Sequence, residues 1–170
     1  MNSMNIVLIW SLVILTFMNG CTPEKELYII PNNYKGKIVI IFNIKDGDPR
    51  TYENGYRIYR IPENGVLFKQ FSSNTGESPI GDIQYRYVRR TDTIKIKEHL
   101  ITGDTSSTLQ QIFAVTTGIF GDKKRYEYIS FTICTYKEWT NNLKDKSRFL
   151  DDDKRIWEII QKRLSVSVSE

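Results

Sequence analysis

Nucleophilic and general acid–base catalysis most often use histidine and cysteine, and both residues are scarce in this sequence. The chain has a single histidine, His99, and two cysteines, Cys21 and Cys134. A nucleophile needs a base within hydrogen-bond reach, and no catalytic motif surrounds His99 or Cys134. Because Cys134 lies in the apolar run SFTICTY, we interpret it as a small buried hydrophobic residue. The sequence therefore predicts no catalysis by histidine or thiol.

Carboxylates are the remaining candidates for chemistry. Asp46 and Asp48 alternate in the turn DGDP and could face one cation, but this turn lacks the further acidic ligands of a calcium loop. Three consecutive aspartates at 151–153 stand at the expected start of a helix, where neighbouring side chains point in different directions. We interpret Asp151 as the helix N-cap and the others as favourable first-turn charges. No metal site and no cofactor are predicted.

The first 21 residues carry a different kind of chemistry. An apolar run at residues 6–18 is followed by Asn19-Gly20-Cys21. The run suits a signal-peptide core of about 7–15 residues and is short for a membrane-spanning helix, which needs about 20. It resembles the bacterial lipoprotein signal, in which a small residue precedes a cysteine. The resemblance implies cleavage after Gly20, a diacylglyceryl group on the Cys21 thiol, and a further acyl chain such as palmitate on the new amino terminus. A plain secretory signal and an uncleaved anchor are the alternatives.

A lipid on Cys21 would determine the localisation of the protein and its domain organisation. Two or three acyl chains give stable membrane anchoring, which predicts a lipid-anchored protein of the bacterial cell envelope. Cys134 would then have no disulfide partner. Residues 1–20 are interpreted as the signal peptide, 21–26 as a tether, and 27–170 as a single domain of ordinary size. The lipid on Cys21 would make a membrane the partner of the protein. The net charge of +4 is small and mixed along the chain, so we expect no nucleic-acid partner.

Short strand patterns separated by Gly, Pro, Asn and Asp turns recur every 8–12 residues or so, which is typical of an antiparallel sandwich or barrel. Residues 37–44, KIVIIFNI, are almost continuously apolar, which predicts a strand covered on both faces. The sequence predicts a mostly β, antiparallel β-sandwich-like domain with one C-terminal amphipathic helix at about 151–164. The apolar stripe of that helix contains Ile156, Trp157, Ile159, Ile160 and Leu164.

The ten tyrosines form the one aromatic pattern with a functional interpretation. Tyr85 and Tyr87 share one strand face, and so do Tyr126 and Tyr128. Aligned tyrosines could form a stacking platform for an envelope glycan or protein partner. Tyrosine also fits a half-buried pleated surface without any ligand, and this second interpretation is favoured.

Residues 27–71 carry a family pattern. Its elements are Ile30-Pro31, the turns Tyr34-Lys35-Gly36 and Gly47-Asp48-Pro49, and the stretch at 59–66. The segment resembles a bacterial family of exported proteins and lipoproteins of unknown function, and the resemblance implies no activity and no catalytic residue. We therefore expect a membrane-anchored envelope lipoprotein with a non-catalytic binding or structural role. An envelope hydrolase that uses carboxylates is the alternative, and convergent acids in a pocket would distinguish it from an aromatic groove.

Overall fold

The structure is a computed structural model that describes residues 23–74, 82–88, 93–98, 105, 108–121 and 124–167. The predicted lipid site Cys21, the signal peptide and His99 lie outside these residues. Nine strands and two helices occupy the described part. The strands are β1 (Glu26–Pro31), β2 (Gly36–Ile41), β3 (Tyr52–Glu53), β4 (Tyr56–Arg60), β5 (Val66–Phe68), β6 (Ile83–Val88), β7 (Thr93–Glu98), β8 (Gln111–Phe120) and β9 (Tyr126–Cys134), and the helices are α1 (Tyr136–Lys144) and α2 (Ser147–Ser167).

The strands lie in the order β3-β4-β1-β6-β7-β8-β9-β2-β5. Among the described residues, two residue pairs between β7 and β8 connect the first five strands to the last four, and the inner core lies between the two sheets that these strands form. The predicted mostly β, sandwich-like fold with a C-terminal helix is confirmed. The sheets are mixed, however, because β1 is parallel to β4 and β6 and β2 is parallel to β5. Three pairs of consecutive strands, β3–β4, β6–β7 and β8–β9, are antiparallel neighbours, whereas these parallel pairs join strands that are separated by crossings to the other sheet.

Strand β2 is buried on both faces, as its continuous apolar sequence predicts. Ile38 and Ile40 point into the core between the sheets, whereas Val39 and Ile41 point outward beneath α2. This division follows from the alternation of side chains along a strand. The inner core also contains Tyr28, Ile30, Phe42, Tyr59, Ile61, Leu67, Tyr85, Tyr87, Ile96, Ile112, Ile129, Phe131 and Ile133.

Helix α2 covers the outer face of β2 through Ile156 and Ile160, which are 4% exposed, whereas Trp157 is 46% exposed. The helix begins four residues before the predicted start, so the N-cap role assigned to Asp151 is wrong. The amide of Ser147 instead donates to the carboxylate of Asp145, 3.1 Å away, and this acceptor supports an earlier start.

A second helix, α1, was not predicted. Thr135 and Glu138 form a capping box: the Glu138 amide donates to the Thr135 hydroxyl at 3.2 Å, and the Thr135 amide donates to the Glu138 carboxylate at 2.9 Å. The ring of Trp139 stacks on Phe113 with centroids 5.0 Å apart and holds α1 against β8. Of the two described helices, neither combines the length and the apolar character that a membrane span requires.

The docking of α2 can be tested by truncating its buried side chains. We expect Ile156→Ala to lower the free energy of unfolding by about 2–5 kcal/mol, because it leaves a cavity in the outer core. Leu150→Ala on the same helix is the matched control, since Leu150 is 65% exposed, and should cost less than about 0.5 kcal/mol. Urea-induced unfolding measures both. Equal costs would show that α2 is not docked on β2.

Candidate functional site

A cleft with a volume of about 390 Å³ lies between α2 and the outer faces of β2, β8 and β9, and we call it the helix cleft. Its size falls within the range of roughly 300–1,000 Å³ that is usual for small-ligand pockets. The lining is mainly apolar, with three hydroxyl groups and one ion pair. The lining residues are Lys37, Val39, Thr116, Phe120, Tyr128, Ser130, Asp153, Ile156, Trp157 and Ile160.

A β-bulge in β8 aims side chains into the helix cleft. Phe113 pairs with Thr132, but Thr116 pairs with Ser130, so β8 has one extra residue in this interval. Ala114 has a φ of 51° there, a left-handed conformation that is uncommon for alanine. A bulge shifts the alternation of the strand by one residue. As a result Thr116 and Phe120 face α2.

Three aromatic rings form one wall of the helix cleft. The ring of Phe120 lies 6.2 Å from that of Tyr128 and 5.7 Å, edge to face, from that of Trp157. Gly118 makes room for this wall, because a Cβ atom at position 118 would stand 2.7 Å from the Tyr128 ring. Such a wall offers flat apolar faces to a ligand.

Four polar side chains of the helix cleft are paired with each other. The hydroxyls of Thr116 and Ser130 are 2.7 Å apart and share a hydrogen bond. Lys37 Nζ donates to the carboxylate of Asp153 at 2.5 Å. A few polar groups on an apolar wall orient a ligand, and the described lining of the cleft contains one carboxylate, that of Asp153.

A smaller cavity of about 100 Å³ brings together Cys134, Glu138 and Asp152. Cys134 is 5% exposed, which agrees with its interpretation as a buried residue. Glu138 accepts a hydrogen bond from Lys35 at 2.9 Å, and this bond, with the capping bonds from Thr135, lowers the Glu138 pKa to about 2. The cavity is well below the roughly 300 Å³ of ordinary ligand pockets.

The two aspartates of the DGDP turn face basic side chains. Asp46 lies 2.6 Å from Arg163, at the far end of α2, and Asp48 lies 3.7 Å from Lys69. Asp46 therefore helps to hold α2 on the domain through Arg163, and Asp48 pairs with the Lys69 side chain. Among the residues that the structure describes, no group of three His, Cys, Asp or Glu side chains could hold a metal ion.

Sequence reasoning missed a buried carboxylate, Glu26, at the start of β1. Glu26 is 3% exposed and accepts hydrogen bonds from the hydroxyls of Tyr28 at 2.7 Å and Tyr59 at 2.8 Å. Burial raises its pKa, although both hydrogen bonds oppose the shift. Arg57 donates to the Tyr59 oxygen at 3.2 Å. In the sequence, Glu26 ends a short polar segment that contains Pro23. This composition is why the sequence analysis assigns Glu26 to the tether.

The tyrosines on β6 point into the same buried region. Tyr85 and Tyr87 are 4% and 9% exposed, which agrees with the favoured interpretation of this pair as packing residues and leaves no exposed face for the alternative, a stacking platform. The ring of Tyr28 stacks against Tyr59 at 4.7 Å and against Tyr85 at 5.0 Å. These tyrosines are packing residues of the inner core. Of the second pair, Tyr126 is buried and Tyr128 lines the helix cleft.

The protein is a small β-sandwich with a ligand-sized cleft under its C-terminal helix. Residues 22–142 match the family of unknown function DUF6843, and the chain belongs to this family. The match includes the segment 27–71 and ends before α2.

A crystal structure named "Putative Lipoprotein from Bacillus anthracis" is similar, with a TM-score of 0.51 and 15% sequence identity over 65% of this chain and 70% of that chain. At this identity the likeness shows the fold alone. No curated protein matches the chain.

Glu138 should make stability depend on acid pH. Its pKa is held near 2 in the folded state, against an ordinary value of 4.5, so the folded state resists a proton that the unfolded chain binds. This contribution is present above pH 4.5 and is lost as the pH falls towards 2. Glu138→Gln keeps a capping acceptor and removes the charge, and we expect it to cost about 1–2 kcal/mol at pH 7 and almost nothing at pH 2.

Urea unfolding across this pH range measures the difference between the wild type and Glu138→Gln. The control is Glu158→Gln, which changes an exposed glutamate on α2 and should alter the free energy of unfolding by less than about 0.5 kcal/mol. A cost for Glu138→Gln that stays constant from pH 7 to pH 2 would contradict the charged role of Glu138.

Proposed function

We propose that this chain is a lipoprotein of the bacterial cell envelope, anchored to a membrane by lipid on Cys21, with a non-catalytic binding module as its folded domain. The apolar run before Gly20-Cys21 supports the anchor. The family match also begins at residue 22, directly after that cysteine. The structural neighbour is itself named as a lipoprotein, which agrees with this assignment.

The helix cleft is the observation that carries the binding role. It is large enough for a small ligand, and Phe120, Tyr128 and Trp157 line one side of it. Trp157 is 46% exposed although it belongs to a helix that is docked on the sheet. A ligand with an apolar face would cover this ring and gain the free energy of burial. An envelope glycan ring or an apolar group of an envelope protein has such a face.

The alternative is a hydrolase that uses carboxylates. Its support is the small cavity that Glu138 and Asp152 share. Glu138 is bound there by Lys35 and by the cap of α1, so its charge already has structural partners. If Glu138→Gln is stable and abundant but fails to restore the envelope phenotype of a deletion strain, the hydrolase takes first place.

The anchor is tested by Cys21→Ala. Without the thiol no diacylglyceryl group can attach, so the protein should leave the membrane fraction or persist as an uncleaved precursor. Fractionation and mass measurement of the amino terminus distinguish these outcomes. Cys134→Ala is the matched control and should stay in the membrane fraction. A Cys21→Ala protein that is processed normally and remains membrane-bound would refute lipid anchoring.

The binding role is tested with 1-anilinonaphthalene-8-sulfonate, a fluorescent probe that binds apolar clefts. Trp157→Ala or Phe120→Ala should weaken its binding about fivefold or more, because each variant removes one ring of the wall. Leu150→Ala is the control, since this exposed side chain lies on α2 outside the helix cleft. Fluorescence titration of all three folded variants gives the affinities. Unchanged affinity in both ring variants would exclude the helix cleft as the binding site.

A further inference from the structure

The chain is fixed to the domain very close to the proposed lipid. The carboxylate of Glu24 accepts hydrogen bonds from the Tyr52 hydroxyl at 2.7 Å and from Arg57 Nε at 2.5 Å. The backbone of Glu24 is held as well, because its amide donates to the Asn74 side chain at 3.1 Å and its carbonyl accepts from that side chain at 2.7 Å. Glu24 is therefore part of the folded domain. The tether is shorter than the segment 21–26 that the sequence predicted.

This attachment limits how far the domain can stand from a membrane. Cys21 precedes Glu24 by three residues, which span at most about 10 Å when fully extended. The headgroup layer on one side of a bilayer is about 5–8 Å thick. A lipid on Cys21 therefore brings the end of the domain around Glu24 to the headgroups.

The parallel pairing of β1 and β4 identifies what else lies at this end. Glu26 is paired with Arg57, and the Arg57 amide donates to the carbonyl of Lys25 at 2.7 Å. The turn at Asn54 and Gly55, which joins β3 to β4, precedes Arg57 and so projects in the direction of the anchor. It reaches about as far towards the membrane as Glu24.

The exposed chemistry of this end suits headgroups. Tyr52 is 51% exposed, and the Lys25 and Arg50 side chains are 55% and 39% exposed. Lys25 pairs with Asp82, whose side chain is only 23% exposed, so the cation is the outer member of the pair. Tyrosine is enriched at membrane interfaces, and Lys and Arg side chains are attracted to anionic lipid surfaces.

Carboxylates belong to the same region as well, among them Glu24, whose side chain is 35% exposed and lies 3.9 Å from Arg50 and 2.5 Å from Arg57. Glu53, on β3, is 48% exposed, and its charge is paired with Arg60 on β4. The Glu53–Arg60 pair is neutral. In the other ion pairs of this end, Lys25, Arg50 and Arg57 face the carboxylates of Asp82 and Glu24, which is three positive charges against two negative ones.

We propose that this end, formed by Lys25, Arg50, Tyr52, Asn54 and Tyr56 and here called the anchor-end surface, docks on the bilayer that holds the Cys21 lipid. The inference rests on the proposed lipidation. Its partner is an anionic phospholipid surface. Docking would fix the orientation of the domain and would keep the Asn33 end of β1 away from the membrane.

Two matched label sites test this orientation. Asn54 and Asn33 are both exposed asparagines with left-handed φ values, 50° and 59°, in turns at opposite ends of β1. The six residues of β1 separate the two ends by about 20 Å. Asn54→Cys and Asn33→Cys are made in the full chain, lipidated in cells, and labelled with a thiol-reactive fluorophore. Wild-type protein is the labelling blank, since Cys134 is buried.

The labelled proteins are reconstituted in vesicles of phosphatidylcholine and phosphatidylglycerol that contain a headgroup nitroxide lipid. We expect the label at position 54 to be quenched at least threefold more strongly than the label at position 33. Inserting six Gly-Ser residues after Thr22 should reduce this difference, because the longer tether frees the domain. Equal quenching, or stronger quenching at position 33, would overturn the proposed docking.

Flotation of the vesicles separates this inference from the anchor on which it rests. Protein that does not float with the vesicles and lacks a lipid mass on its amino terminus would refute the proposed function, and the docking with it. Protein that floats but shows equal quenching at both positions would refute only the orientation.

Discussion

Burial of β2 on both faces is the constraint on which the two layers of this protein depend. Each apolar side chain removed from water contributes about 1.5–3 kcal/mol, and β2 places such side chains on both sides. Ile38 and Ile40 join it to the opposite sheet, and Val39 and Ile41 join it to α2. The outward apolar side chains of β2 therefore need a covering element, and α2 provides it. The helix cleft is the part of that same outer face which α2 leaves uncovered.

A polar network fixes the other sheet at the end where the chain enters the domain. The carboxylate of Glu26 has two tyrosine donors, as a buried acid needs, and Arg57 continues the network to Glu24. Next to it, the ring of Phe71 has the guanidinium groups of Arg50 and Arg57 at 4.8 and 5.1 Å. These contacts combine residues from three separate segments. They determine where the amino-terminal segment leaves the domain.

Local patterns predicted most of the strands, but they could not predict the site. The strand predicted at residues 37–44 corresponds to β2, because a continuous apolar run is a local signal. Strand direction was not predictable, because no pattern in β1 shows that its neighbours come from β4 and β6. Thr135-x-x-Glu138 has the pattern of a capping box, which marks the start of a helix. It directly follows β9 with no turn residue between them, so helix α1 was not predicted. The bulge at Ala114 has no glycine to mark it, and the helix cleft depends on that bulge.

The position of α2 after all nine strands has a consequence for biogenesis. A chain that is exported amino terminus first presents every strand before the segment that covers Val39 and Ile41. Until α2 emerges, the outer face of β2 is an uncovered apolar surface of the kind that promotes aggregation. The last helix of the chain is therefore the element that closes this face.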